Sequence, residues 1–238
     1  MTHLYLIRHG QALSAVQRTI GNTELSPLGI KQAEHLRDRL AATSEIIPDV
    51  LIASTMLRAK QTAEIIAPAL GLPITFDSEV EEWRDGTVEE RNLEEYKATF
   101  DAAPFDQKPF LHITPDAESW VQFMLRAGTA LNRITQQYAG KTIVIVCHGG
   151  IIDCSFISFL GMSSLQFPKA FFNTHNTSIT HWIYDSYLGL PPSWILERYN
   201  DVMHLRDISS PTRIPWESLK AQPVVGDDRA EVPTEADA

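Results

Sequence analysis

The run Thr142-Ile143-Val144-Ile145-Val146-Cys147, followed at once by His148-Gly149-Gly150, decides the fold. It is apolar and almost wholly β-branched, which favours a strand. Because it does not alternate with polar residues, both faces must be covered, and this places it at the centre of a parallel sheet. The segment after it is apolar nearly all round as far as Gly161, the pattern of a buried helix.

Working outward, the same strand-then-helix alternation recurs. His3-Leu4-Tyr5-Leu6-Ile7 reads as a first strand, and Ser26-Pro27 opens a helix with Ser as N-cap and Pro at its first position. Ile30, Ala33, Leu36 and Leu40 give that helix one buried stripe. Asp49 to Ala53 is a second strand, Ser54 is expected to cap the next helix, and Pro68 to kink or end it near Ala67, with Gly71 as the exit. A short strand covers Ile74 to Phe76. Later strands are expected over 177–184 and 193–198. The sum is an α/β fold of three layers, a mostly parallel central sheet flanked by helices. Residues 77–115 form an acidic, loop-rich insertion with a helix near 93–100, and the part from about 92 to 115 is expected to lie as a lid over the site. A long helix is expected from Thr114-Pro115 to about Tyr138.

The chain has 238 residues, 44% apolar and 21% charged, ordinary values for a folded globular protein. Twenty Lys and Arg against thirty Asp and Glu give a net charge of −10, which argues against nucleic acid or an anionic membrane as partner. No basic stretch precedes an apolar core near Met1, so no signal peptide is expected. No apolar run approaches the ~20 residues of a membrane span. Cys147 and Cys154 make neither a disulfide framework nor a four-ligand zinc site. A cytoplasmic location follows as the expectation. Residues 207–238 change character: four prolines, and seven acids against three bases, read as a solvated tail. The expected organisation is therefore a domain over 1–206 and a tail over 207–238, with Trp216 as the tail's one aromatic.

The chemistry gathers at strand ends. Arg8-His9-Gly10 follows the first strand, His148-Gly149-Gly150 follows the central one, and Arg58 lies near the start of the helix after the second. Ligands of open parallel sheets bind beyond the carboxyl ends of the strands, so two imidazoles and two guanidiniums should share one rim. Glu82, in the loop after the third strand, can reach it. Guanidiniums match phosphate geometry and stay charged. A neutral imidazole can carry a phosphoryl group covalently, and a carboxylic acid can protonate the departing alkoxide and then activate water. Neither a metal nor any other cofactor is required. Cys147 beside His148 is read as core, because neighbouring side chains of a strand face opposite ways.

LYLIRHG at 4–10, SPLGIKQA at 26–33, STMLRAKQTAEIIA at 54–67, VEEWRDGTVEE at 80–90 and VCHGG at 146–150 together resemble the histidine phosphatase superfamily, the phosphoglycerate-mutase-like family. The resemblance spans residues 3 to about 205. It implies a phosphohistidine mechanism with His9 as nucleophile, Arg8, Arg58 and His148 as the phosphate pocket, and Glu82 as proton donor. Substrate contacts are expected from Arg8, Gln11, Ser14, Gly21, Arg58, His148 and Gly149. This sequence departs from the family pattern in places. Gln11 stands where many members have Glu, Ser14 and Ala15 occupy the stretch of a phosphate-binding Asn, and Asp153 lies where an arginine often follows the second histidine motif.

The resulting expectation is a metal-independent phosphatase of the histidine acid type, acting on a small phosphorylated metabolite, with a homodimer left open. Phosphoglycerate mutase chemistry is the alternative. Against it, residues 92–115 carry only Lys97 and Lys108 beside Glu94, Glu95, Asp101 and Asp106, and an acidic lid binds a second anionic group poorly. A phospho-ligand-binding regulator without turnover is the third reading, opposed by the presence of all five chemical positions.

Overall fold

Among the described residues of the computed structural model six strands form one sheet: β1 (Thr2–Arg8), β2 (Val50–Ala53), β3 (Ile74–Phe76), β4 (Thr142–Cys147), β5 (Ile179–Asp185) and β6 (Ser193–Asp201), in the order β3-β2-β4-β1-β5-β6. Among the described residues five α-helices of defined extent accompany them: α1 (Leu13–Gln17), α2 (Pro27–Thr43), α3 (Leu57–Leu70), α4 (Trp120–Gln137) and α5 (Gly149–Phe159). The structure describes residues 1–17, 21–86, 98, 100–112, 114–170, 172–186 and 188–206. Most of the helix expected near 93–100, and the whole tail with Trp216, lie outside the described residues.

β4 runs between β1 and β2, parallel to both, and Ile143 to Cys147 are fully buried, as the unbroken apolar run requires. The register aligns Arg8 with Cys147 and Ala53 with Val146. The carboxyl ends of β1, β2 and β4 are therefore level, and the residues that follow them emerge on one rim. β5 pairs antiparallel with β1 and β6 with β5, which makes one side of the sheet antiparallel.

Alternation along the strands divides the core between two faces. Leu4, Leu6, Ile143, Ile145 and Cys147 pack against α4 and α5 through Phe123, Leu131, Ile151 and Phe156. On the opposite face Tyr5, Ile7, Val144 and Val146 meet α2 and α3 through Leu36, Leu40, Ala63 and Ile66. This is the expected three-layer, mostly parallel α/β architecture. No helix among the described residues is long and apolar enough to cross a membrane.

Several local expectations are corrected. The long helix begins at Trp120, not at Thr114-Pro115. Ser119 caps it, accepting from the Gln122 amide at 3.3 Å while the Gln122 carboxamide oxygen accepts from the Ser119 amide at 2.9 Å. Thr114 instead donates its hydroxyl to the Asp85 carbonyl at 2.9 Å. Ser54 does not cap α3, which starts at Leu57 after Met56. Pro68 is accommodated inside the last turn, so α3 continues to Leu70 before Gly71 turns left-handed at φ 67°. Ile30, expected in the buried stripe of α2, is 43% exposed. Within the strand expected over 177–184, His181 and Trp182 are buried, and β5 is an inner strand between β1 and β6.

Candidate active site

The site grows from the end of β1. His9 is buried, and its Nδ1 lies 2.6 Å from the carbonyl oxygen of Gly10. A carbonyl only accepts, so Nδ1 carries a proton. Burial, with Arg8 and Arg58 alongside, holds the imidazole's pKa well below the ordinary histidine range, so the ring is neutral at physiological pH. A neutral ring protonated at Nδ1 has its lone pair on Nε2. The N–H of Arg58 Nε donates to that atom at 3.1 Å.

The backbone around His9 is pinned from three directions. Gly10 donates its amide to Thr62 Oγ1 at 3.0 Å, and the Thr62 hydroxyl donates to the Arg58 carbonyl at 2.7 Å, so α3 is tied to the end of β1. Asn176 Nδ2 donates to the His9 carbonyl at 2.9 Å. Thr177 donates its amide to the Arg8 carbonyl at 2.9 Å from a left-handed backbone, φ 54°, a costly conformation for a β-branched residue. The Arg8 guanidinium donates through Nη1 to the carbonyl of Thr174, while its Nε is buried without a hydrogen-bond partner among the described residues.

His148 occupies the N-cap position of α5 and is fully buried. Its ring centroid is 5.0 Å from that of His9. Burial, then the neighbouring His9 and the two arginines, holds it neutral as well. Its Nε2 lies 2.8 Å from Ser54 Oγ, and its Nδ1 is buried with no partner among the described residues. If the Ser54 hydroxyl donates to Nε2, the imidazole proton sits on Nδ1, free to bind an oxyanion. Arg8 Nε and His148 Nδ1 are thus two buried nitrogens without a hydrogen-bond partner among the described residues, and donors so placed suit an anion.

Glu82 reaches the same rim. One carboxylate oxygen accepts the Gly150 amide at 3.2 Å and the other the Trp83 amide at 3.1 Å. Gly150 must lack a side chain, because a Cβ there would collide with the Glu82 carboxylate and stand 2.8 Å from Phe123 Cζ. The loop carrying Glu82 is clamped by Arg126 of α4. That guanidinium donates to the carbonyls of Glu79 at 2.8 Å, Glu81 at 3.1 Å and Glu82 at 3.0 Å, and pairs with Glu118 at 2.6 Å. Trp83 anchors the loop, its indole N–H donating to the Glu118 carbonyl at 2.6 Å.

Of the residues singled out from sequence, Arg8, His9, Arg58, Glu82, His148 and Gly149 come together. Gly21 sits at the edge of the group, its carbonyl 3.4 Å from Arg58 Nη1. Gln11 turns its carboxamide oxygen to the hydroxyl of Ser26 at 2.8 Å, and Ser14 lies in α1 with its amide on Thr23 Oγ1 at 2.9 Å. Sequence reasoning missed Thr62 and Arg126, and it read Ser54 as a cap. Only the polar character of Ser54 and Thr62 within apolar surroundings hinted at a role. A cleft of about 300 Å³ lined by Thr2, Gln136, Tyr184 and Trp194 lies by the opposite end of β1. Six residues of strand put it about 20 Å from Arg8. Among the described residues no three His, Cys, Asp or Glu side chains group as metal ligands.

Neutral imidazoles and guanidiniums at the carboxyl rim of a parallel sheet, with a carboxylate opposite, define a site suited to phosphoryl groups. Comparison with known proteins agrees. Residues 4–201 match the model of the histidine phosphatase superfamily (branch 1), and the chain belongs to that superfamily. It is 30% identical over 215 residues to the "Probable phosphoglycerate mutase GpmB" of Citrobacter koseri, covering 86% of this chain and 95% of that one. A phosphoserine phosphatase mutant from Entamoeba histolytica, solved in complex with phosphoserine, has 25% identity and a TM-score of 0.63, covering 86% of this chain and 100% of that one. The α-ribazole phosphatase of Shigella flexneri shares the fold, at 22% identity and a TM-score of 0.69, covering 84% and 96% of the two chains.

Proposed function

We propose that the protein is a metal-independent phosphatase that hydrolyses a small phosphomonoester through a phosphohistidine on His9. The observation that carries this reading is the state of His9: neutral, protonated at Nδ1, with the lone pair of Nε2 under Arg58. The two guanidiniums and His148 bind the phosphate oxygens, and Arg58 moves its N–H from Nε2 to the substrate, which frees the nucleophile. Nε2 attacks phosphorus and the P–O bond to the alcohol breaks. Glu82 delivers a proton to the leaving oxygen. Water then enters, Glu82 takes one of its protons, the hydroxide attacks phosphorus, and the P–N bond breaks with its electron pair returning to Nε2. The balance is ester plus water giving alcohol plus phosphate.

Phosphoglycerate mutase activity is the second reading, favoured by the name of the Citrobacter relative. Hydrolysis is preferred on the charge around the rim. Asp153 adds a second carboxyl near Glu82 and Arg8, and the Lys108 ammonium is engaged by the Phe100 ring and the Asp101 carbonyl. Incubation with 3-phosphoglycerate and with p-nitrophenyl phosphate separates the two. Release of inorganic phosphate in excess of isomerised product is expected. Interconversion of 2- and 3-phosphoglycerate at rates rivalling hydrolysis would overturn the choice.

A further inference from the structure

In α5, Asp153 follows Gly149 by four residues and Gly150 by three, so it is a surface neighbour of each. A Cβ on Gly149 would stand 3.7 Å from Arg8 Nε, and the Gly150 amide touches Glu82 at 3.2 Å. Asp153 therefore stands one helical turn, about 5 Å, beyond the contacts that define the phosphate and leaving-group positions. It is half-buried, and its Oδ1 is fully shielded from solvent with no hydrogen-bond partner among the described residues. Arg8 is near but forms no ion pair with it within 4 Å, and the Tyr199 hydroxyl is engaged with Thr174 at 3.3 Å.

On the reading that Glu82 protonates the departing oxygen, the carbon skeleton of the alcohol leaves on the side of α5. A substituent one or two carbons from the ester oxygen then comes level with Asp153. We propose that Asp153 is a specificity residue that accepts a hydrogen bond from an ammonium group of the departing alcohol, so that the preferred substrates are phosphomonoesters of amino alcohols. Burial, and then the neighbouring Glu82, push its carboxyl up to about 7 against the opposing pull of Arg8. A substrate carboxylate at this place would be repelled.

O-phosphoethanolamine and propyl phosphate are isosteric, differing in an ammonium against a methyl group, and provide the test. The kcat/KM ratio of amine to alkyl ester should exceed tenfold in the native protein and fall at least tenfold in Asp153→Asn. Asp153→Arg should move preference toward 3-phosphoglycerate, a gain that mere structural damage does not produce. Equilibrium binding of the same two esters to His9→Ala separates this inference from the phosphatase reading on which it rests. Absence of turnover with a retained, Asp153-dependent binding preference would sink the phosphatase reading alone. Equal binding of the two esters, or a ratio unmoved by Asp153→Asn, would overturn the assignment of Asp153. An Asp153-dependent preference equally strong for 2-hydroxyethyl phosphate would overturn the requirement for positive charge.

Discussion

Arg58 Nε lies 3.1 Å from His9 Nε2, and together with the Gly10 carbonyl at Nδ1 this contact settles where the imidazole keeps its lone pair. Arg58 leaves the first turn of α3 and is 9% exposed, whereas Lys60, two residues on, is exposed and pairs with Glu64 at 3.9 Å. Arg58→Ala should lower kcat/KM by about 100- to 1000-fold, the effect of losing a donor aimed at developing charge. Lys60→Ala should stay within about twofold of the native value, as for other exposed ion pairs. Steady-state kinetics on p-nitrophenyl phosphate compare them, and similar losses in both would contradict the placement.

Ser54 is fully buried and directs its hydroxyl to His148. Ser54→Ala removes the hydroxyl that His148 Nε2 meets at 2.8 Å, and kcat/KM should fall about tenfold. Nitrogen NMR of the imidazole should show Nδ1 protonation in the native protein and a mixture in the variant. An unchanged spectrum with full activity would show that Ser54 only fills space.

Arg126 acts on Glu82 through the backbone. Its side chain is 8% exposed and that of Glu118 15%, so removing the guanidinium leaves a largely buried carboxylate and three carbonyls without their donor. Arg126→Met should cost about 2–4 kcal/mol in denaturant unfolding. It should also lower kcat more than it raises KM, since the phosphate pocket is untouched. A loss of stability with kcat unaltered would mean that the Glu82 loop holds its position unaided.

Stability should depend on pH. His9 and His148 are held well below the usual histidine pKa, and burial brings His181 and His204 down to about 4. Unfolded histidines take up protons near ~6.5, so between there and 4 the unfolded state holds more protons and the folded state loses ground as pH falls. Asp153 and Asp85, whose carboxyls are raised, act in the opposite sense, but they are fewer. The Tm should therefore drop between pH 7.5 and pH 5. A Tm equal or higher at pH 5 would show that the histidines are not buried neutral.

The parts of the fold and site set by a repeating pattern were legible in the sequence. The unbroken apolar run at 142–147 placed β4, and once β4 is parallel to β1 and β2 the register brings Arg8, His9 and His148 to one rim. What remained hidden depends on partners distant in the chain. Ser54 before a helix looks like a cap, and only the packing of β2 against β4 turns it toward His148. The burial of His181 follows from β6 covering β5, an arrangement with no local signal. Ser119 was legible in principle, since Ser119-x-x-Gln122 is a reciprocal capping pair, but Thr114-Pro115 offered a competing start. Arg126 carries no motif at all. Its role exists only because the Glu82 loop folds back onto α4.

Rapid mixing with a radiolabelled phosphomonoester, quenched in alkali within milliseconds, tests the central claim most directly. The account predicts base-stable, acid-labile phosphate on Nε2 of His9, absent from His9→Ala. Turnover without protein-bound phosphate, or label on any other residue, would contradict it.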